Sequence, residues 1–490
     1  MSAYDDLMTY QRETEALGQV LGRLGWDQET MMPAGSSQQR GDEMAALQGV
    51  LHARRTDPRI ADWLDSAIAT DTVADAHLRH IKRDYERTSK VPARLATELA
   101  RVTSVSQGVW AEARANDDFD SFAPALSEVL ALKREEAAAL AKGGPLYDAL
   151  LDDYEPGATT QSLTAMFDAL RPGLVALRER ILGADTPAHM LRGTFAEDKQ
   201  LALSTELALA FGYDLNMGRI DKAVHPFSSG SGADVRITTR TDENDPFNCF
   251  YSTIHEVGHA TYEQNIAPEY RLTPLGQGVS MGVHESQSRI YENQLGRSEA
   301  FTGWLFGKMQ TAFGEIGVDD ARAFYAAVNR VRSGYIRTEA DEVHYNLHVL
   351  MRFDLERDLI TGALDVADLM EAWNTRFAAD FGIAVDTPSN GVLQDVHWSC
   401  GLFGYFPTYS LGNVYAGCLN ETLRAAVPDL DTQLAKGDTR AATAWLANAV
   451  QQHGGLMTPE DLMTQATGKA PTVDPLLAYL TQKFEALYNL

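Results

Sequence analysis

Residues 225 to 247, HPFSSGSGADVRITTRTDENDPF, are where this 490-residue chain leaves helical periodicity for the two-residue alternation of a strand. Elsewhere apolar residues recur three and four apart through Ala-, Leu-, Glu- and Arg-rich runs such as FAPALSEVLALKREEAAALAK and LTAMFDALRPGLVALRERIL, the pattern of helices that bury one face. A mainly α fold with a small β-sheet follows. Within the exception, Gly230 and Gly232 among serines predict a loop, and Val235 and Ile237 alternating with Arg236 and Thr238 predict a half-buried strand. TDENDPF then reads as a turn, with Asp245 capping a new helix and Pro246 at its first position, where a missing amide proton costs nothing.

A second irregular stretch, residues 386 to 413, mixes Gly, Pro and aromatics between helical segments and is expected to be a functional loop. Near the C-terminus Thr458 and Pro459 open another helix. No fixed-period repeat or low-complexity linker divides the chain, so one continuous domain over residues 1–490 is expected. A formal net charge of −26 argues against a nucleic-acid backbone or an anionic membrane surface as partner, because both require clustered Lys and Arg. Peptides and small molecules remain. No apolar run is long enough to cross a bilayer, and the acidic, amphipathic N-terminus lacks the features of a secretory signal, so a cytoplasmic protein is expected. Cys249, Cys400 and Cys418 offer neither a disulfide framework nor a CxxC zinc site, and read as buried thiols.

The helix that Asp245 caps carries HEVGH, residues 255 to 259. Residues four apart share a helix face, so His255 and His259 can offer two imidazoles to one ion, while Phe247, Phe250, Ile254, Val257 and Thr261 anchor the other flank. Two hydrogen-bonded core histidines would give the same pattern, so a third ligand is the test. Tyr262 and Asn265 exclude the three-histidine variant HExxHxxGxxH. A carboxylate from a later helix is the alternative, and GVHESQSRIYENQL supplies Glu285, with His284 beside it as a rival. With Zn²⁺ on His255, His259 and Glu285, one per chain, water takes the fourth position with its pKa lowered toward about 7, and Glu256 serves as general base. Co²⁺ or Mn²⁺ would also suit these ligands. Glu292, two turns beyond Glu285, is a candidate outer acceptor for a ligand imidazole.

Taken in order, HPF (225 to 227), DVRITT (234 to 239), HEVGH (255 to 259), HESQ (284 to 287), IRTEAD (336 to 341) and GVLQDVHW (391 to 398) resemble the motifs of the carboxypeptidase Taq family of HExxH metallocarboxypeptidases. LGWDQETMMPAGSSQQR near the N-terminus and YFPTY after the last motif extend the resemblance over nearly the whole chain. It implies a single large helical fold with a deep cleft, of neurolysin-like architecture, forming a homodimer that removes single C-terminal residues from peptides with broad specificity.

Such an exopeptidase needs a cation for the substrate's terminal carboxylate. Arg337 is the first candidate, because a guanidinium grips a carboxylate through two parallel hydrogen bonds, and Arg236 is the second. An internal salt bridge, with Glu339 or Asp341 for Arg337, is the alternative use of either arginine. A free edge of the DVRITT strand would pair with the substrate backbone and give affinity without side-chain selection, and a scaffold hairpin is the alternative. His397 and Tyr409 are candidate donors to the developing oxyanion, with Tyr409 also a substrate contact; His225, His344 and His348 are alternatives, and Trp398 and Phe406 read as packing. Two other functions fit the same residues: an endo-oligopeptidase, which would also cut carboxyl-amidated peptides, and a non-catalytic helical peptide-binding or scaffold protein with a structural metal or none.

Overall fold

The computed structural model of the chain describes residues 2–186 and 189–490, so Met1 of the N-terminal stretch lies outside the described residues. Among the described residues twenty α-helices accompany one three-stranded sheet, and no helix is long and apolar enough to cross a membrane. The chain divides into two compact units, each gathered from three separate segments. The first comprises Met1–Ser89, Ala188–Asn329 and Tyr415–Pro471; the second comprises Lys90–Pro187, Arg330–Val414 and Thr472–Leu490.

The sheet belongs to the first unit: β1 (Ile220–Lys222), β2 (Ser228–Ser231) and β3 (Asp234–Thr239), in the order β1-β3-β2. The strand expected at DVRITT is β3, with Val235 and Ile237 fully buried. Two expectations are corrected. The serine-rich stretch expected to be a loop pairs as β2, antiparallel to β3, and Gly232 and Ala233 alone make the turn. Nor does β3 have a free edge for a substrate: it is the central strand, parallel to β1 on its other side. Its Val235 and Ile237 amides donate to the Met217 and Arg219 carbonyls, and its Thr238 amide donates to that of Phe227. Local alternation identifies a strand but carries no information about which strands flank it.

The turn after β3 starts the helix Pro246–Asn265, with the Asp245 side chain accepting the Phe247 amide and Pro246 at the first position, as expected. Its 20 residues span about 30 Å. Phe250, Ile254 and Val257 are fully buried, each contributing about 1.5–3 kcal/mol by removal from water, whereas Phe247 stays partly exposed. The opposite flank is also buried, at Tyr251, Gly258 and Tyr262, so this helix runs through the interior of the unit. Gly258 makes that possible on one side. A Cβ there would lie 2.5 Å from both the Gln287 carbonyl oxygen and the Ser288 Cα, so only glycine lets the next helix, Met281–Arg289, approach this closely. That helix is capped by Ser280 and runs on into a widened π-helical turn, Ile290–Gly296.

In the second unit, helix Phe119–Ala141 carries the first periodic run quoted above up to its C-cap Lys142, and helix Thr160–Leu182 contains the second. The helix Glu342–Thr361 is capped by Asp341, and buries His344, His348, Arg352 and Glu356 along its length. Glu356 pins the following irregular stretch, because its carboxylate accepts hydrogen bonds from the Trp398 indole N–H, the Gly404 amide and the Tyr147 hydroxyl. Burial pushes Glu356 up to about 7, against those three donors. The irregular stretch is shorter than expected. Pro407 opens the helix Pro407–Ala426, so Tyr409 is helical; proline suits a first helical turn as well as a loop, and here it does the former. The Thr458 cap and Pro459 start are as expected. Cys249 and Cys418 are buried thiols, while Cys400 is partly exposed.

Candidate functional site

In the first unit, His255, His259 and Glu285 bring one ligand atom each to within 4.8 Å of one another. The Glu285 Oε2 atom lies 3.7 Å from His255 Nε2 and 3.3 Å from His259 Nε2. A tetrahedral ion with bonds near 2.1 Å has ligand-to-ligand edges of about 3.4 Å, so these side chains fit a divalent cation. Oε2 is the Glu285 oxygen that faces the two histidines. Oε1 accepts the Arg289 Nε–H at 2.7 Å, while Ser288 Oγ donates to Oε2 at 3.1 Å. Helical spacing aligns the histidines, and the close approach at Gly258 brings the carboxylate to them.

Each histidine is supported through its other ring nitrogen. His255 Nδ1 lies 2.9 Å from Glu292 Oε2, and Arg289 and Arg297 hold Glu292 in turn. His259 Nδ1 lies 2.6 Å from His284 Nδ1, and His284 Nε2 lies 2.9 Å from Glu263 Oε1. Glu292 therefore stands where an outer acceptor was expected. Glu263, which the sequence reading missed, had one visible signal: it follows His259 by four residues on the same helix face.

Electrostatics separate the carboxylates. Burial favours the neutral form of Glu285, but Arg289, His255 and His259 outweigh it and hold the group well below the usual carboxylate range. Burial likewise opposes ionisation of Glu292, yet His255 and Arg289 keep it near 2. Glu256 has no such support. Burial pushes it up to about 7, with His255 acting in the opposite direction. Burial also drives His259 down to about 3, which keeps its imidazole neutral, whereas for His255 burial is outweighed by Glu285 and Glu292, which raise it.

The second unit gathers Arg337, His397 and Tyr409. Arg337 is buried with Nε and Nη2 on Asp395, while Nη1 donates to the Tyr345 hydroxyl at 3.1 Å. The internal salt bridge considered for Arg337 thus exists, but to Asp395 and not to Glu339 or Asp341. Asp395 also meets the fully buried Arg352 at 2.5 Å, so two guanidinium groups share one carboxylate. Burial opposes its ionisation, but the two arginines hold it far below its ordinary value. Gln394 completes the arrangement by accepting the Arg337 backbone amide at 2.9 Å. His397 Nε2 is 3.3 Å from the Tyr409 hydroxyl, with its ring 4.4 Å from that of Phe406; burial lowers it to about 4, against the pull of Asp395. Asp395 and Gln394 stood in plain view within GVLQDVHW, but nothing local tied them to IRTEAD.

Other candidates are dispersed. Arg236, in the first unit, pairs with Asp234 at 2.7 Å and packs 4.3 Å from the ring of Trp26, a residue of the N-terminal LGWDQE stretch. His225 is exposed in the segment between β1 and β2. His344 bonds to Asp341 at 2.8 Å, and His348 packs on Phe381. Trp398 and Phe406 are buried, as packing residues should be.

Likeness to known proteins runs along the whole chain. The sequence profile of the carboxypeptidase Taq (M32) metallopeptidases matches residues 6–484. Thermostable carboxypeptidase 1 of Thermus thermophilus is 42% identical over 100% of this chain and 99% of its own length. Carboxypeptidase 1 of Bacillus subtilis is 34% identical over 99% of this chain and 100% of its own. The crystal structure of the M32 carboxypeptidase from Deinococcus radiodurans superimposes with a TM-score of 0.96 at 37% identity, covering 100% of both chains. Residues that fit a divalent cation, a mostly helical fold with one small sheet, and likeness along the full length together establish that the chain belongs to the carboxypeptidase Taq (M32) metallopeptidase family, and is a metallocarboxypeptidase.

Proposed function

We propose that the enzyme removes single C-terminal residues from peptides with broad specificity, with His255, His259 and Glu285 holding one Zn²⁺ and Glu256 acting as general base. The observation that carries this reading is the approach of Glu285 Oε2 to His255 Nε2 and His259 Nε2 at 3.7 Å and 3.3 Å, close to the edges of a tetrahedral site. When bound, the cation would supply Lewis-acid polarisation of the scissile carbonyl and make water a better nucleophile near neutral pH. Co²⁺ or Mn²⁺ would serve the same ligands.

Glu256 takes a proton from the attacking water at a carboxylate oxygen and returns it to the nitrogen of the leaving amine, so that the peptide bond breaks with no net proton change. A carboxyl group raised to about 7 by burial is suited to both transfers. Arg337 is the proposed clamp for the substrate's terminal carboxylate, with Arg236 as the second candidate. Supporting Arg337 are two N–H groups beyond the three used on Asp395 and Tyr345, and the excess of guanidinium over carboxylate around Asp395. His397 and Tyr409, within hydrogen-bonding reach of each other, are the proposed donors to the developing oxyanion. We further propose that residues 1–490 act as a single catalytic entity and that the protein is cytoplasmic; its assembly as a homodimer is proposed on the family resemblance alone.

The test is incubation of the Zn²⁺-loaded protein with a peptide blocked at its N-terminus, alongside the same peptide carrying a C-terminal amide, with mass analysis of the products. Stepwise loss of single C-terminal residues from the acid and none from the amide is expected. Cleavage of the amide at internal bonds would replace this reading with an endo-oligopeptidase.

A further inference from the structure

His284 was the rival ligand in the sequence, and the structure gives both of its ring nitrogens other work. Nδ1 faces His259 Nδ1 at 2.6 Å and Nε2 faces Glu263 Oε1 at 2.9 Å, which leaves no imidazole nitrogen for an ion. We propose that His284 and Glu263 are positioning residues, a two-link relay that holds His259 in the tautomer whose Nε2 lone pair faces the metal. The inference rests on the reading of His255, His259 and Glu285 as a metal centre.

Hydrogen-bond polarity along the relay runs in one direction only. Glu263 Oε1 already accepts the Gly278 amide at 2.9 Å, so it is an acceptor, and His284 Nε2 must bring a hydrogen to it. The 2.6 Å contact between the two Nδ1 atoms needs one donor and one acceptor, and in the tautomer that gives its hydrogen to Glu263 from Nε2, His284 offers the Nδ1 lone pair. The hydrogen between the two Nδ1 atoms therefore belongs to His259, whose own lone pair is left at Nε2, the atom 3.3 Å from Glu285 Oε2. Reversing any link would put a hydrogen on His259 Nε2 and block it as a ligand.

The surroundings fix the relay in place as well as in polarity. The His284 ring packs against those of His259 and Tyr262, with ring centres 4.8 Å and 5.1 Å away. Gly278 closes over it so tightly that a Cβ there would come within 2.6 Å of His284 Cδ2. The Tyr262 hydroxyl accepts the neighbouring Val279 amide at 3.2 Å, so one turn of the histidine helix docks the segment that presses on His284. His255 has a different support, a direct carboxylate in Glu292 that two arginines restrain. Loss of the relay should therefore affect His259 and spare His255.

The test uses the full chain and the variants Glu263→Gln, close in shape to the native side chain, and His284→Ala, each checked for native circular dichroism. Zn²⁺ affinity is measured by competition with a chromophoric chelator. Proton NMR in water of the Co²⁺-loaded proteins then follows the exchangeable, hyperfine-shifted ring N–H signals. Wild type should show two such signals, from His255 and His259. Both variants should bind Zn²⁺ about 10–100-fold more weakly, and His284→Ala should lose one N–H signal to solvent exchange while keeping the other. Wild-type affinity in both variants, or weakened affinity with both signals intact, would overturn the relay. Failure of the wild type to bind Zn²⁺ or Co²⁺, or unweakened binding by His255→Ala, would instead remove the metal centre on which the relay rests.

Discussion

Glu256 and Glu285 are both buried and lie on adjoining helices, yet their surroundings push them in opposite directions. Glu285 is kept ionised by Arg289 and two histidines, which suits a ligand; Glu256, lacking a guanidinium, is raised to about 7, which suits a proton carrier. Replacing Glu256 by Gln preserves shape and removes the basic oxygen. The variant should bind one Zn²⁺ per chain as the wild type does, with kcat reduced by at least about 10²-fold, the lower end of what a general base contributes. Steady-state kinetics with metal analysis decides it, and unchanged kcat would remove Glu256 from the mechanism. The residue types at this centre were readable from HEVGH and HESQ because metal chemistry requires them at those spacings. Glu263 was not, since its partner His284 is 21 residues away in sequence.

At the scale of elements, the centre depends on how closely two helices approach. Gly258 permits the contact between Pro246–Asn265 and Met281–Arg289, and a methyl group there would meet backbone atoms that cannot rotate away. Gly258→Ala should therefore destabilise the protein by about 1–3 kcal/mol, the usual cost of overpacking, and should weaken Zn²⁺ binding because Glu285 moves with its helix. Denaturant unfolding together with chelator competition measures both; an unchanged affinity would mean that the helices can separate without disturbing the ligands. Helix starts were legible at Asp245 and Thr458 because a cap is a local hydrogen bond. The pairing of β2, the central place of β3 and the helical setting of Tyr409 were not, because strand neighbours and the end of a loop depend on contacts with distant segments.

For the whole molecule, each compact unit is drawn from three stretches of chain, and the three proposed ligands all fall in the first. Metal removal should accordingly abolish turnover while leaving the helical circular dichroism at 25 °C unchanged, since the ligand-bearing helices are held by buried apolar residues. Added Zn²⁺ should raise the unfolding temperature in proportion to RT ln(1 + [L]/Kd), about 2.7 kcal/mol at a hundredfold excess over Kd. Turnover that persists in a strong chelator, or an unfolding temperature indifferent to Zn²⁺, would contradict this. Periodicity, capping residues and ligand spacing determined the helical class, the single strand recognised at DVRITT, and the identity of the candidate ligands, because each depends on residues within a few positions of one another. Only the tertiary structure decided that Glu285 meets the histidines, that Asp395 joins Arg337 to Arg352, and that Glu263 reaches His259 through His284. Those contacts join residues far apart along the chain, where packing rather than local propensity selects the partner.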